Sequence, residues 1–254
     1  MRGRCLELAL AFGVVLVATV TTLCADDYRF TSSLIQTIPV SGPIRLQVEN
    51  PIGNISIEVG TEESVSLFAV KKADDEETLA QISVSIDQGE DAVVVWAQKP
   101  QRTSPRWAVD FVLRVPAGTE LELNAGVGNV ALRDYVGCAS VQVGTGNLSV
   151  ESFSGMTFSA NVGVGDAVLA GLSCDWAHIE VGVGKLDLRL TSDASYTVSA
   201  EVGMGGLAIE GFPGMQLEVS GFLGKQARGV LGSGAGNLQL EVGVGDLFVR
   251  PTGG

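Results

Sequence analysis

One phrase constrains this chain more than any other feature: Gly-x-Gly, a polar or small residue, then apolar-x-apolar. It stands at residues 126–132 (GVGNVAL), 144–150 (GTGNLSV), 163–169 (GVGDAVL), 182–188 (GVGKLDL), 203–209 (GMGGLAI) and 243–249 (GVGDLFV). The first glycines of the first five copies are Gly126, Gly144, Gly163, Gly182 and Gly203. Such an even period, near 20, is the mark of stacked repeats, in which each unit buries its apolar face only against its neighbours. The side-chain phase gives the shape of a unit. Before the second glycine the apolar residues are Val242 and Val244; after Asp246 they are Leu247 and Val249. A strand alternates faces with period two, so this change of parity needs a bulge or corner. Glycine takes positive φ there without penalty, and Asn or Asp tolerates it best among the rest. Each copy therefore reads as strand, corner, strand. The predicted fold is all-β: a single-stranded β-solenoid of about 19–20 residues per coil.

Residues 119–254 carry these coils. Residues 26–118 read as a β-rich N-terminal cap that continues the same core, with strands predicted at 44–48, 55–59, 65–70, 82–86, 92–97, 109–115 and 120–123. The phrase occurs early as well, at 53–57 (GNISI). The run KKADDEE (71–77) reads as a solvated loop or one helical turn, and PQRTSP (100–105) as a loop beside Trp96 and Trp107. Two tryptophans there can stack on a sugar or fill the core rim. Near the end, residues 220–224 (SGFLG) read as a decayed copy. The segment 232–250 holds two compressed copies, at Gly236-Asn237-Leu238 and Gly245-Asp246-Leu247, expected to form a closing pair of strands.

The segment 1–25 does not read as fold. Arg2 and Arg4 precede an uncharged stretch from Leu8 to Leu23, followed by Cys24-Ala25-Asp26. That pattern predicts a secretory signal peptide cut after Ala25. An uncleaved anchor and a lipidated Cys24 stay open as alternatives. No later run is long and apolar enough to span a bilayer, so the cleaved chain is not expected to be an integral membrane protein. Sixteen Lys and Arg against 29 Asp and Glu leave a net charge of −13; loss of residues 1–25, with two Arg and one Glu, makes it −14. Such a chain repels nucleic acid. Cleavage leaves Cys138 and Cys174, which lie at similar places two coils apart. Two coils span ~9–10 Å, beyond the ~7 Å reach of a disulfide, so free, buried thiols are expected.

The search for chemistry is mostly exclusion. A single histidine, His178, rules out sites with two His ligands and is expected to be a hydrogen-bonded structural residue. The Gly-x-Gly phrases open strands rather than helices, so they are not phosphate loops. The stacked corner column would read Asn129, Asn147, Asp166, Lys185, Gly206; Lys185 and Gly206 spoil a ladder of carboxylates for calcium, which leaves a hydrogen-bonded Asn/Asp ladder. Lys185, Asp187 and Arg189, at i, i+2 and i+4 of one strand, share a face. They read as a solvated charged patch, with an acid–base site as the alternative. No residue is assigned a catalytic, cofactor or metal role, and no cofactor is expected.

The order of these pieces resembles a bacterial family of exported proteins of unknown function known as putative adhesins. The matching elements are an early Gly-x-apolar-x-apolar pair (Gly53 to Ile57), a strand ending in Val115-Pro116, the repeated coils, and a final Gly-x-Gly phrase (Gly243 to Val249). The resemblance spans residues 44–250. It implies a β-solenoid and an envelope location and carries over no functional residue. The function expected is therefore that of a non-enzymatic, exported adhesin-like or scaffold protein, periplasmic or on the cell surface. Its expected partner is an envelope polysaccharide or another envelope protein. A polysaccharide-acting enzyme and a protein-binding stress or signalling accessory are the alternatives.

Overall fold

The parity change inside each repeated phrase becomes a bend in the backbone. The computed structural model describes residues 28–252 except 61–62, 101–105, 214 and 222–223. The expected signal segment, most of the 100–105 loop and Phe222-Leu223 lie outside the described residues. Among the described residues there are nineteen strands and one short helix. The first strands are β1 (Phe30–Pro39), β2 (Arg45–Ile52), β3 (Ile55–Gly60) and β4 (Ser64–Ala73). Helix α1 (Glu76–Gln81) follows, then β5 (Ser83–Gln88), β6 (Ala92–Gln98), β7 (Trp107–Pro116), β8 (Glu120–Val127), β9 (Val130–Val136) and β10 (Cys138–Thr145). Two long strands come next, β11 (Leu148–Val164) and β12 (Ala167–Val183), then β13 (Leu186–Leu190), β14 (Tyr196–Met204) and β15 (Leu207–Ile209). The chain ends with β16 (Gln216–Ser220), β17 (Lys225–Leu231), β18 (Gly236–Val244) and β19 (Leu247–Pro251).

All of them join one continuous curled sheet. The copies stack in parallel, with successive phrases in register. Strands entering the corner form one face, in the spatial order β6, β2, β8, β10, second half of β11, second half of β12, β18, β14. Strands leaving the corner form a second face, in the order β7, β3, β9, first half of β11, first half of β12, β13, β19, β15. The corner glycines Gly128, Gly146, Gly165, Gly184, Gly205 and Gly245 all have φ between +143° and +147°. At Gly165 the reason is plain: a Cβ there would lie 1.8 Å from the carbonyl oxygen of Gly146 in the next layer.

The core is built of rows. Ile57, Leu132, Val150, Leu169, Leu188, Val249 and Ile209 follow one another across the second face, all buried. Each layer adds several such side chains, each stabilising the fold by about 1.5–3 kcal/mol. Tyr135, Phe153 and Leu172 form another row. The Tyr135 and Phe153 rings stack at 5.9 Å, and Phe158 meets Phe153 edge-on at 4.9 Å. Tyr135 is fully buried, and its hydroxyl donates to the Thr119 carbonyl, which satisfies the one polar atom it brings inside.

The stack departs from chain order at both ends. The early pair β2–β3 sits inside β6–β7, directly against β8–β9. The last pair β18–β19 is inserted between the layer of β12–β13 and that of β14–β15. Two expectations are corrected here. Gly236-Asn237 is not a second corner: it opens β18, with Gly236 opposite Tyr196 and Asn237 opposite Trp176 and Thr197. Nor do the described residues on either side of Phe222-Leu223 form a parallel coil: β16 and β17 pair antiparallel. The KKADDEE run divides: Lys71, Lys72 and Ala73 form the end of β4, and Asp75 caps α1 by accepting from the Thr78 amide at 2.7 Å.

Both described cysteines are free. Cys174 is buried, and burial pushes its thiol pKa up to about 11. Cys138 is only half-buried, contrary to expectation. It begins β10 one residue before Ala139, which takes the inward place.

Candidate binding surface

Because the layers are in register, each outward position becomes a row running along the stack. The residue before each corner glycine makes a rib along the corner that is apolar except at Thr145: Ile52, Val127, Thr145, Val164, Val183, Val244 and Met204. Its valines are 47–51% exposed and Met204 is 66% exposed. Beside it runs the corner ladder. The Asn129 amide donates to Asn54 Oδ1 at 3.0 Å, Asn147 to Asn129 at 2.9 Å, Asp166 to Asn147 at 2.9 Å and Lys185 to Asp166 at 2.9 Å. The Gly206 amide donates to Asp246 Oδ1 at 2.7 Å, and Asp110 receives the Asn54 amide at the other end. The hydrogen-bonded reading of this column is correct, but its order is not. Asp246 stands between Lys185 and Gly206, and Asn54 and Asp110 extend it. Lys185 has no acceptor to offer and interrupts the ladder. The Oδ1 atoms of Asn54, Asn129, Asn147, Asp166 and Asp246 are each taken by a neighbouring amide.

The entering face carries polar rows. One runs Gln47, Glu122, Ser140, Ser159, His178, Gln239, Ser199. His178 stacks on Trp176 with ring centroids 5.9 Å apart. Its Nδ1 is buried without a hydrogen-bond partner, which corrects the expectation of a satisfied histidine: stacking and cover by its neighbours hold the ring, not a polar contact. Trp96 and Trp107 are not brought together. Trp96 has the outward parity of β6, and Trp107 packs against the core from β7.

On the leaving face, Lys185, Asp187 and Arg189 do converge, and the structure adds a fourth residue. Asp187 Oδ2 accepts from Arg250 at 2.7 Å and Arg189 at 3.1 Å, with Lys185 Nζ at 3.9 Å. Lys185 also lies over the Phe248 ring, 4.9 Å from its centroid. The Asp187 side chain is 4% exposed, while the three cations remain 43–50% exposed. The cover is thus one side chain thick, on the outside of the sheet, and the patch is not the freely solvated face expected. Burial alone would raise the Asp187 pKa, but hydrogen bonds from Arg189 and Arg250 outweigh it and hold the carboxyl below its ordinary range. Sequence reading missed Arg250, yet the signal was present: EVGVGKLDLR and EVGVGDLFVR place Arg189 and Arg250 at the same point of the phrase, and β13 pairs with β19 in that register. Among the described residues no three His, Cys, Asp or Glu side chains converge as metal ligands.

No family model matches the chain, and no curated protein matches it. Solved structures do. A putative cell adhesion protein from Clostridium sporogenes is similar over 87% of this chain and 100% of its own, at 13% identity and a TM-score of 0.49. A putative adhesin from Bacteroides fragilis is similar over 87% and 97%, at 12% identity and a TM-score of 0.47. Among the described residues no helix is long and apolar enough to cross a membrane.

Proposed function

We propose that this protein is a non-catalytic, exported adhesin-like or scaffold protein of the cell envelope. In this reading the parallel stack is a β-solenoid, one repeated phrase to each coil, and it acts in the periplasm or at the cell surface. The observation that carries the proposal is the set of long outward rows held in register along the stack. The same register that stacks the core repeats each surface position seven or more times along one axis. A linear array of evenly spaced side chains suits an extended or repetitive partner, such as an envelope polysaccharide or a scaffolded envelope protein, better than a single small substrate. A protein-binding accessory would concentrate its apolar surface in one confined patch, whereas here the apolar rib runs along the stack.

Co-sedimentation of the purified exported form with isolated cell envelope tests this. Saturable binding is expected, insensitive to chelator because among the described residues no three acidic, His or Cys side chains converge. A protein that stays soluble at every envelope concentration overturns the reading.

A further inference from the structure

The outer row of the leaving face changes character along its length. In its first half it alternates in sign: Arg114, Glu58, Arg133, Glu151. Each in-register pair meets, at 3.5 Å, 3.7 Å and 3.5 Å. Ala170 then interrupts it, and two arginines follow directly opposite one another, Arg189 and Arg250. Like charges in register are destabilising. Here they are held together by one carboxylate from the adjacent row, Asp187, with Lys185 as a third cation. Three cations share one oxygen of one acid, in a chain whose net charge is −13.

The cluster is also incomplete in its hydrogen bonding. Asp187 Oδ1 is buried and accepts nothing, and Arg189 Nε is buried and donates to nothing. A buried unmet donor on a cation and a buried unmet acceptor on an anion, in one cluster, define a complementary ligand. It brings an anionic oxygen to the guanidinium and a hydroxyl hydrogen to the carboxylate. Ala170, in register with Arg189, leaves that flank low, and the half-exposed Arg250 and Lys185 side chains can swing away from Asp187 to admit it. Acidic groups flank the cluster: Asp166 and Asp246 at the corner, Glu210 after β15 and Glu151 beyond Ala170. They disfavour a densely charged polyanion and favour one with sparse charges.

We propose that Lys185, Asp187, Arg189 and Arg250 form a binding site for a uronate sugar of an acidic polysaccharide. The carboxylate pairs with Arg189 and Arg250, and a neighbouring sugar hydroxyl donates to Asp187 Oδ1. This rests on the envelope-binding reading and gives it a ligand class and a location.

Isothermal titration of the purified protein with a hyaluronan hexasaccharide, in which glucuronate alternates with a neutral sugar, provides the test. Saturable binding is expected. Arg189→Ala and Arg250→Ala should each weaken it about 10-fold or more, as loss of a charged hydrogen bond does. Arg114→Ala, in the paired half of the same row, should leave it unchanged. Arg250→Lys, which keeps the charge, should retain part of the affinity, and circular dichroism should show each variant folded. Carboxyl-reduced hexasaccharide should not bind. Absence of binding, or equal binding by an Arg189→Ala/Arg250→Ala variant, overturns the site. Equal binding of a polyglutamate peptide or of inorganic phosphate overturns the sugar. If the double variant still sediments with envelope as the unmodified protein does, the site falls while the envelope reading stands. If the unmodified protein binds the hexasaccharide but never the envelope, the reverse holds.

Discussion

Gly165→Ala isolates what the repeated glycine does. Two costs apply. The backbone at Gly165 has φ +143°, a region that L side chains rarely adopt, at a cost of about 1–3 kcal/mol. The new Cβ would also lie 1.8 Å from the Gly146 oxygen, where real Cβ contacts do not go below 3.0 Å. The two layers must therefore part locally by about 1 Å or more, as overpacked contacts do. Three bonds cross that gap: Gly146 N–H to the Val164 carbonyl, Leu148 N–H to the Asp166 carbonyl, and Asp166 N–H to Asn147 Oδ1, each 2.9 Å. Stretched by that much they no longer count as hydrogen bonds, and each contributes about 1 kcal/mol. After partial relaxation the sum is about 4 kcal/mol, which for a chain of this size lowers Tm by about 8–16 °C.

Two control substitutions separate the terms. Gly144→Ala has no positive φ, and its Cβ would lie 2.6 Å from the Gly126 oxygen; the smaller shift should cost about 1–2 kcal/mol. Gly42→Ala has φ +83° with nothing within 4 Å, so only the conformational cost of about 1 kcal/mol remains. Thermal unfolding followed by circular dichroism orders the three. If Gly42→Ala destabilises as much as Gly165→Ala, or if Gly165→Ala melts within about 2 °C of the unmodified protein, layer contact is not what requires the glycine and the reasoning fails.

Three further outcomes are expected. Asn147→Ala removes the acceptor for the Asp166 amide and should cost about 1 kcal/mol in urea unfolding; Asn147→Asp keeps an acceptor there and should cost less, so equal losses would refute the ladder's role. Tyr135→Phe keeps the stacked ring but strands the buried Thr119 carbonyl, for a loss of about 1–3 kcal/mol at neutral pH; a neutral result would mean that this carbonyl finds another donor. Iodoacetamide at pH 8 should modify Cys138 and spare Cys174 in the folded protein. Because the Cys174 pKa is raised to about 11 from an ordinary 9.0, the unfolded chain loses that proton first as pH rises. Stability is therefore full below about pH 9 and falls between about 9 and 11, by on the order of 2 kcal/mol. Cys174→Ala should flatten that decline, and an unchanged slope would assign it elsewhere.

The local geometry of the repeat was legible in the sequence because it rests on parity and φ, which neighbours in the chain determine. The inward rows through Val242, Leu247 and Val249 follow from alternation, but alternation also groups Val244 with Val242, and the structure turns Val244 outward, 47% exposed, because the bend already begins at Gly243. What alternation cannot give is which copies become neighbours. The compressed copies at 236–249 look like a terminal flourish, because sequence spacing says nothing about a chain that returns to an interior slot. The same limit hid Arg250. Lys185, Asp187 and Arg189 share a strand and could be grouped by parity, whereas Arg250 lies several strands further along the chain and becomes a neighbour of Arg189 only when β19 docks on β13. Cys138 was misplaced by one residue, and in a strand one residue is the difference between core and surface. His178 failed for a different reason: composition favours a hydrogen-bonded histidine, and only the neighbouring ring of Trp176 reveals a stacked one.

The interleaved ends answer a problem that any parallel stack has. A terminal layer exposes unpaired amides and carbonyls that invite another chain to add on. Had the layers followed chain order, the last copy, 241–250, would end the stack with a bare parallel edge on each face. Instead β18–β19 is paired on both sides, and the outer layer belongs to β14–β15. On the entering face β14 is closed by the antiparallel β17, with β16 beyond it, and on the leaving face the edge is β15, only three residues long. The other end uses the same device: β2–β3 lies inside, and the outer layer β6–β7 is closed by antiparallel β5 on one face and β4 with β1 on the other. Parallel pairing in register therefore generates the long surface rows, and antiparallel strands end that parallel register at both ends of the stack. The regular register that gives the rows their length would otherwise make the chain prone to edge-to-edge assembly, and the departures from the repeat lie where that assembly would begin.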